Sequence, residues 1–188
     1  MSLLKKLERH PVMATLYGTE QLPVFLRSEA EVAILANIPL RQLTGIIDRL
    51  VDADKLIIVN IDSCEGLSPD RAAIEFLEDL GAAGIVSTRV PTMQQAVQTK
   101  MVAIQKVFIT DRSTLPRSVR AISQSRADFV QIMPAPMLAY LKAKYFKAVA
   151  HIIASGFVCE KKDVVNALAR GAIGVSSSDS SLWNYVNS

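Results

Sequence analysis

The chain has 188 residues, half of them hydrophobic and 21% charged, with a formal net charge of +3. A mean hydropathy of +0.26 excludes a disordered polymer and supports one domain, residues 1–188, with a core that needs neither disulfides nor metal. Uncharged stretches such as Phe129 to Leu141 fall short of the roughly 20 residues of a membrane span. The opening Met-Ser-Leu-Leu-Lys-Lys-Leu-Glu-Arg-His has charges where an export signal needs an apolar run. A cytoplasmic protein with two reduced thiols, Cys64 and Cys159, is expected.

Short apolar runs rich in β-branched residues recur in chain order. Val12 to Leu16 and Val32 to Leu35 come first, followed by helical spacing at Leu40, Leu43, Ile46, Ile47 and Leu50. Leu56 to Ile61 reads as a third strand. Ser68-Pro69-Asp70 then reads as a cap with proline at the first position of a helix reaching Leu80, and Gly81 stops it. Gly84 to Ser87 precedes a helix over Thr92 to Thr99 that opens less cleanly at Arg89-Val90-Pro91. Met101 to Gln105 and Asp128 to Met133 flank a helix bearing Arg112, Arg117, Arg120 and Arg126. A helix with Lys142, Lys144 and Lys147 leads to Ala150 to Ile153. A further helix, Val164 to Ala169, is stopped by Gly171 before Ile173 to Ser176.

Near-continuous hydrophobicity is what a parallel strand buried on both faces requires. Eight strand–helix units without an Asn-Gly hairpin signal predict an α/β fold, a compact (β/α)8 TIM-type barrel. An open doubly wound sheet is the competitor. It carries a Gly-rich turn after its first strand, where this chain reads Leu16-Tyr17-Gly18-Thr19-Glu20.

In a barrel, function sits on the loops after the strand ends. Those positions hold Asp62 and Glu65, Thr88 and Arg89, Gln105 and Lys106, Gln131, Ser155 and Gly156, and Ser176, Ser177, Ser178 and Asp179. The last two loops, with the N-terminus of a short final helix, form the usual phosphate site of this architecture. Asp179 or Ser178 also suits simple capping of that helix. Arg89, Asp62 and Gln105 are expected to line the mouth. An enzyme acting on a small phosphate ester, with Asp62 or Glu65 as base, is one reading of these residues. No second acid/base group joins them, because Gln105 and Gln131 do not exchange protons. No catalytic triad, P-loop or metal-ligand set is present; His10 reads as solvated, and His151 opens an apolar strand.

Charge is segregated. Residues 100–150 hold nine basic against two acidic side chains, and residues 20–80 hold five against twelve. The basic sector, with Arg117, Arg120, Lys144 and Lys147, suits a polyanion or head-to-tail self-association. With 6% aromatic residues, a base-stacking platform is not obvious.

The strand-end residues resemble the glycerol-3-phosphate-responsive antiterminator family, the glycerol uptake operon antiterminator regulatory proteins, from about Ala14 to Trp183. The resemblance is carried by Gly84-Ile85-Val86-Ser87-Thr88-Arg89, by Val102 to Phe108 with Asp111, and by Asp163-Val164 through Gly171-Ala172. Ser176 to Trp183, and Asp62 four residues before Gly66, complete it. It implies a TIM-type barrel, glycerol 3-phosphate as effector with no cofactor, and a regulator that binds the leader of a messenger RNA. The phosphate would lie at Ser155, Gly156, Ser176, Ser177 and Ser178, and Asp62, Glu65, Arg89, Gln105, Lys106 and Gln131 would meet the rest of the ligand. Lys106, Gln131, Ala135 and Ser155 depart from the family's usual Arg, Glu, Gly and Gly.

Overall fold

The computed structural model describes residues 2–141 and 151–186. Its strands are β1 (Val12–Tyr17), β2 (Val32–Ala36), β3 (Leu56–Asn60), β4 (Gly84–Ser87), β5 (Val102–Phe108), β6 (Phe129–Met133), β7 (Ile152–Ser155) and β8 (Ala172–Ser177). They close into one parallel barrel in sequence order. Closure pairs Val12, Met13 and Ala14 with Val175, Ser176 and Ser177. The predicted eight-stranded barrel is present, and that last pairing excludes the open sheet.

The helices are α1 (Leu3–Arg9), α2 (Leu22–Leu26), α3 (Leu40–Asp52), α4 (Arg71–Asp79), α5 (Val90–Ala96), α6 (Leu115–Ser125) and α7 (Lys161–Ala169). Helix α3 buries Leu43, Ile46, Ile47 and Leu50, the stripe its spacing predicts. The cap of α4 is Asp70, whose carboxylate accepts from Ala73 N at 3.0 Å. Ser68 and Pro69 stand outside the helix, because Asp70 supplies the acceptor that the first turn lacks. A 3-10 segment, Ala135–Tyr140, follows β6. Lys142, Lys144 and Lys147 lie outside the described residues.

Two apolar layers follow from strand alternation. Met13, Ile34, Ile58, Val86, Ile104, Phe129 and Ile153 fill the barrel. Leu35, Val59, Ile85, Ala103, Val107, Val130 and Val175 face the helices.

Helix α1 was not visible in the sequence. Its Leu3 and Leu7 are buried against the inner layer, contributing roughly 1.5–3 kcal/mol each. They close the barrel at the beginning of its strands. A Cβ on Gly174 would lie 2.9 Å from Pro11 O and 3.1 Å from Leu7 Cδ2, so this approach needs glycine. The buried Lys6 ammonium lies 3.1 Å from Glu31 Oε2 and donates to Asp54 O at 3.0 Å. His10 is half-buried, with Nδ1 enclosed and without a hydrogen-bond partner, which corrects the solvated reading. It is the C-cap residue of α1, between the helix and β1, rather than part of a free segment.

Candidate functional site

Above the inner layer, at the C-terminal ends of the strands, the barrel becomes polar. Thr15 of β1, Asn60 of β3, Lys106 of β5, Gln131 of β6, Ser155 of β7 and Ser176 of β8 line a cavity of ≈ 140 Å³. Tyr17, Ala36, Met133 and the loops Gly156–Cys159 and Ser177–Asp179 complete it. The volume is well below the roughly 300 Å³ at which drug-sized sites begin. The space suits a very small ligand.

Three of the lining groups form a chain of hydrogen bonds. Gln131 Nε2 donates to Ser155 Oγ at 2.7 Å and to Ser176 Oγ at 3.2 Å. The Ser155 and Ser176 hydroxyls bond to each other. Gln131 Oε1 and Asn60 Oδ1 are buried without a partner, though the residues are only 3% and 8% exposed. Enclosed polar atoms of this kind cost stability until something binds them. Lys106 faces the same space, and its ammonium enters no hydrogen bond or ion pair among the described residues. Burial pulls its ammonium below the ordinary lysine value, and Asp62 pulls the other way. The cavity therefore offers one cation and two acceptors.

The loops after β7 and β8 are braced from outside. Gly156 has φ +77 and Phe157 φ +56, and Gly156 O accepts from Ala135 N at 3.1 Å. The N–H groups of Phe157 and Val158 have no backbone partner among the described residues. Ser177 Oγ donates to Val158 O at 2.7 Å and accepts from Asp179 N at 3.1 Å. Trp183, fully buried, donates from Nε1 to Ser177 O at 3.0 Å. So Ser177 ties the two loops together, while Ser155 and Ser176 face the cavity. The expected final helix is a three-residue 3-10 turn, Ser180–Leu182, capped by Asp179 accepting from Ser181 N. Such a turn aligns too few peptides for an appreciable dipole, so backbone N–H groups and hydroxyls carry the anion-binding character.

Several predicted residues stand elsewhere. Gln105 is fully buried on the outer face of β5 and donates to Ser87 O at 3.2 Å and Thr88 O at 3.0 Å. Strand alternation gives the inward place to Lys106 instead. Asp62 accepts from Ser87 Oγ at 2.6 Å, Thr88 N at 2.7 Å and Thr88 Oγ1 at 2.8 Å. It clasps the ends of β3 and β4 rather than standing as a free base. Arg89 lies at 3.9 Å from Asp62 with a side chain 63% exposed, and Glu65 is exposed. Neither lines the cavity. Asn60 and Thr15 were missed; counting by twos from Ile58 and Met13 reaches both.

The outer surface also differs from expectation. Tyr17, Phe108 and Phe157 are exposed at the strand ends, with Tyr140 nearby in sequence to β6, so aromatic surface is more plentiful than composition implied. Arg117 and Arg120 are exposed on α6 and enter no ion pair among the described residues. Cys64 is buried, Cys159 is exposed, and both are free. Among the described residues no cluster of three or more His, Cys, Asp or Glu could hold a metal ion, and no helix is long and apolar enough to cross a membrane.

Comparison with known proteins agrees with the barrel fold. The family model described as glycerol-3-phosphate responsive antiterminator matches residues 12–183. A curated relative, the uncharacterized protein YgcP of Escherichia coli (strain K12), is 27% identical over 187 residues, covering 99% of this chain and 98% of the relative. The crystal structure of the glycerol uptake operon antiterminator regulatory protein from Listeria monocytogenes superposes with a TM-score of 0.85 at 25% identity, covering 92% of this chain and 94% of that one. A glycerol uptake operon antiterminator-related protein from Thermotoga maritima shares the fold, with a TM-score of 0.84 at 21% identity over 94% of this chain and 99% of that one.

Proposed function

The chain belongs to the glycerol-3-phosphate responsive antiterminator family, and from that premise we propose that its barrel mouth binds glycerol 3-phosphate and controls binding to a messenger RNA leader in the cytoplasm. The family is one of regulators rather than enzymes. The observation that carries the reading is the small cavity with two acceptors, Asn60 Oδ1 and Gln131 Oε1, and the Lys106 ammonium, all three without a partner among the described residues. The glycerol hydroxyls satisfy the two amide oxygens. The phosphate takes the Ser155 and Ser176 hydroxyls and the N–H groups of the Gly156–Val158 loop. Lys106 balances part of its charge.

An enzymatic reading has no corresponding support. Asp179, at the rim, is the one carboxylate among the described residues lining the cavity, and its partner is Ser181 N. Asp62 is engaged and Glu65 is off the wall, so among the described residues no free carboxylate faces a bound substrate as base.

For RNA, the exposed Arg117 and Arg120 on α6 fit a phosphodiester backbone. Calorimetry with glycerol 3-phosphate, glycerol and inorganic phosphate tests the ligand. A leader-RNA retention assay with and without glycerol 3-phosphate tests the response. Equal weak binding of glycerol and glycerol 3-phosphate would remove the phosphate site. RNA retention that ignores glycerol 3-phosphate would remove the regulatory link.

A further inference from the structure

Lys106 is the one nucleophilic nitrogen among the described residues of the cavity wall, and its neighbours are unusual for a lysine. It pairs in register with Gln131 across β5 and β6, and adjacent strands stand about 4.8 Å apart. Gln131 in turn holds the Ser155 and Ser176 hydroxyls. Lys106 therefore shares one face of adjacent strands with Gln131, and both line the same small cavity as Ser155 and Ser176. No carboxylate accepts from it among the described residues, and Asp62, the acid whose charge acts on it, is committed to Ser87 and Thr88.

We propose that Lys106 captures carbonyl-bearing three-carbon phosphate esters as a reversible imine, so that the site distinguishes an oxidised ligand from its alcohol by a covalent bond. The inference rests on the phosphate placement given under Proposed function. A phosphate anchored at the Ser155–Val158 and Ser176 loops directs the short carbon chain toward β5, where the amine is. Burial pulls the amine below the ordinary lysine value, which raises the share of the neutral nucleophile, the usual way a lysine is activated.

The step balances without any co-reactant. The nitrogen lone pair adds to the carbonyl carbon, the C=O π pair moves to oxygen, and proton transfer from nitrogen to oxygen gives a carbinolamine. Loss of the hydroxyl as water then leaves C=N. Overall an ammonium and a ketone give an iminium and water, with no change of oxidation state. Gln131 Oε1 can accept from the carbinolamine hydroxyl. The chemistry stops there, because among the described residues no carboxylate stands free to take a carbon-bound proton or to assist C–C cleavage. The result is covalent sensing without turnover.

The test treats the full chain with dihydroxyacetone phosphate and sodium borohydride, followed by intact mass measurement and peptide mapping. The expected result is one reduced adduct per chain, on Lys106, suppressed by glycerol 3-phosphate and not formed by glycerol 3-phosphate alone. Adducts spread over surface lysines, insensitive to glycerol 3-phosphate, would overturn the proposal. Thermal shifts run in parallel separate the two readings. Stabilisation by dihydroxyacetone phosphate with no adduct at Lys106 overturns the covalent step and leaves the phosphate site standing. No stabilisation by either ester, with no adduct, overturns both.

Discussion

Gln131 on β6 donates from Nε2 to Ser155 Oγ on β7 at 2.7 Å, while its Oε1 stays buried without a partner. The protein thus uses one end of the amide and leaves the other for a ligand. Replacing Gln131 with Leu keeps the bulk and removes both functions. Because Ser155 and Ser176 still bond to each other, and an unpaired buried oxygen disappears, stability should change by less than about 1 kcal/mol. Affinity for glycerol 3-phosphate should fall tenfold or more, about 1.4 kcal/mol. Calorimetry and thermal melts on Gln131→Leu measure the two quantities separately.

Gly156 sets the loop that faces the phosphate. Its φ of +77 is disfavoured for any side chain, and a Cβ there would lie 3.3 Å from Met133 Cε and 3.6 Å from Pro134 Cα. The methionine end can move, but the backbone strain remains. Gly156→Ala should cost about 1 kcal/mol of stability. It should also weaken phosphate-ester binding by displacing the Phe157 and Val158 N–H groups. Full affinity in Gly156→Ala would show that the loop does not bind the anion.

Asp62 predicts the opposite pattern. Its carboxylate accepts from the fully buried Ser87 and from Thr88, so Asp62→Ala takes away the acceptor of the Ser87 hydroxyl and leaves the exposed Thr88 N–H to water. Hydrogen bonds to a charged group are worth about 1.5–3 kcal/mol, and a loss of that size is expected in denaturant unfolding. Arg89→Ala should be almost silent, since an exposed pair at this separation is worth about 0–1 kcal/mol. A marked loss of ligand affinity in Arg89→Ala, with stability intact, would return Arg89 to the binding site.

The barrel was legible because most strands are apolar on both faces and helices such as α3 carry a 3.6-residue stripe. The same feature hid the site. A run such as Val102 to Lys106 shows no alternation, so nothing local says whether Gln105 or Lys106 faces inward; the Val86–Ile104 and Lys106–Gln131 pairs of the closed barrel decide it. Asn60 was concealed in the same way behind Leu56 to Val59. The Ser155 and Ser176–Ser178 loops were legible from position alone. Ser177 turned out to brace them, because its hydroxyl meets Val158 O, a contact made between distant segments. Helix α1 was obscured by its charges, although Leu3 and Leu7 are four apart on one face.

The two thiols should respond differently to pH. Burial pushes the Cys64 thiol up to about 11 from 9.0, and Cys159 is exposed. Only a thiolate attacks an alkylating reagent at useful rates, so iodoacetamide at pH 8 should label Cys159 and spare Cys64 in the folded protein. Because the folded value lies above the unfolded one, Cys64 favours the fold at lower pH. Its contribution is fully present below about pH 9 and is lost as pH rises toward 11. Cys64→Ala should flatten the decline in stability across that window. Equal labelling of both cysteines at pH 8 would contradict the burial argument.

The final prediction concerns the partner. Arg117 and Arg120 lie on the exposed face of α6, opposite its buried Ser118, Ile122 and Ser125. If this face holds RNA, contacts go to phosphates and carry no sequence information. Single changes should then weaken every RNA alike, each reducing the salt slope by about 0.7–0.9. Arg117→Glu with Arg120→Glu should abolish leader-RNA retention and leave the sedimentation coefficient unchanged. A shift to smaller species would instead assign the face to docking on the acidic residues 20–80 of another copy. Tyr17, Phe108 and Phe157, exposed at the strand ends, supply the contrasting variant. Stacking on an aromatic side chain is worth about 1–3 kcal/mol per base, so Phe157→Ala would reduce retention with little change in salt slope if bases reach the mouth. Loss of retention in Phe157→Ala alone, with the arginine reversals silent, would move the RNA from α6 to the ligand's own end of the barrel.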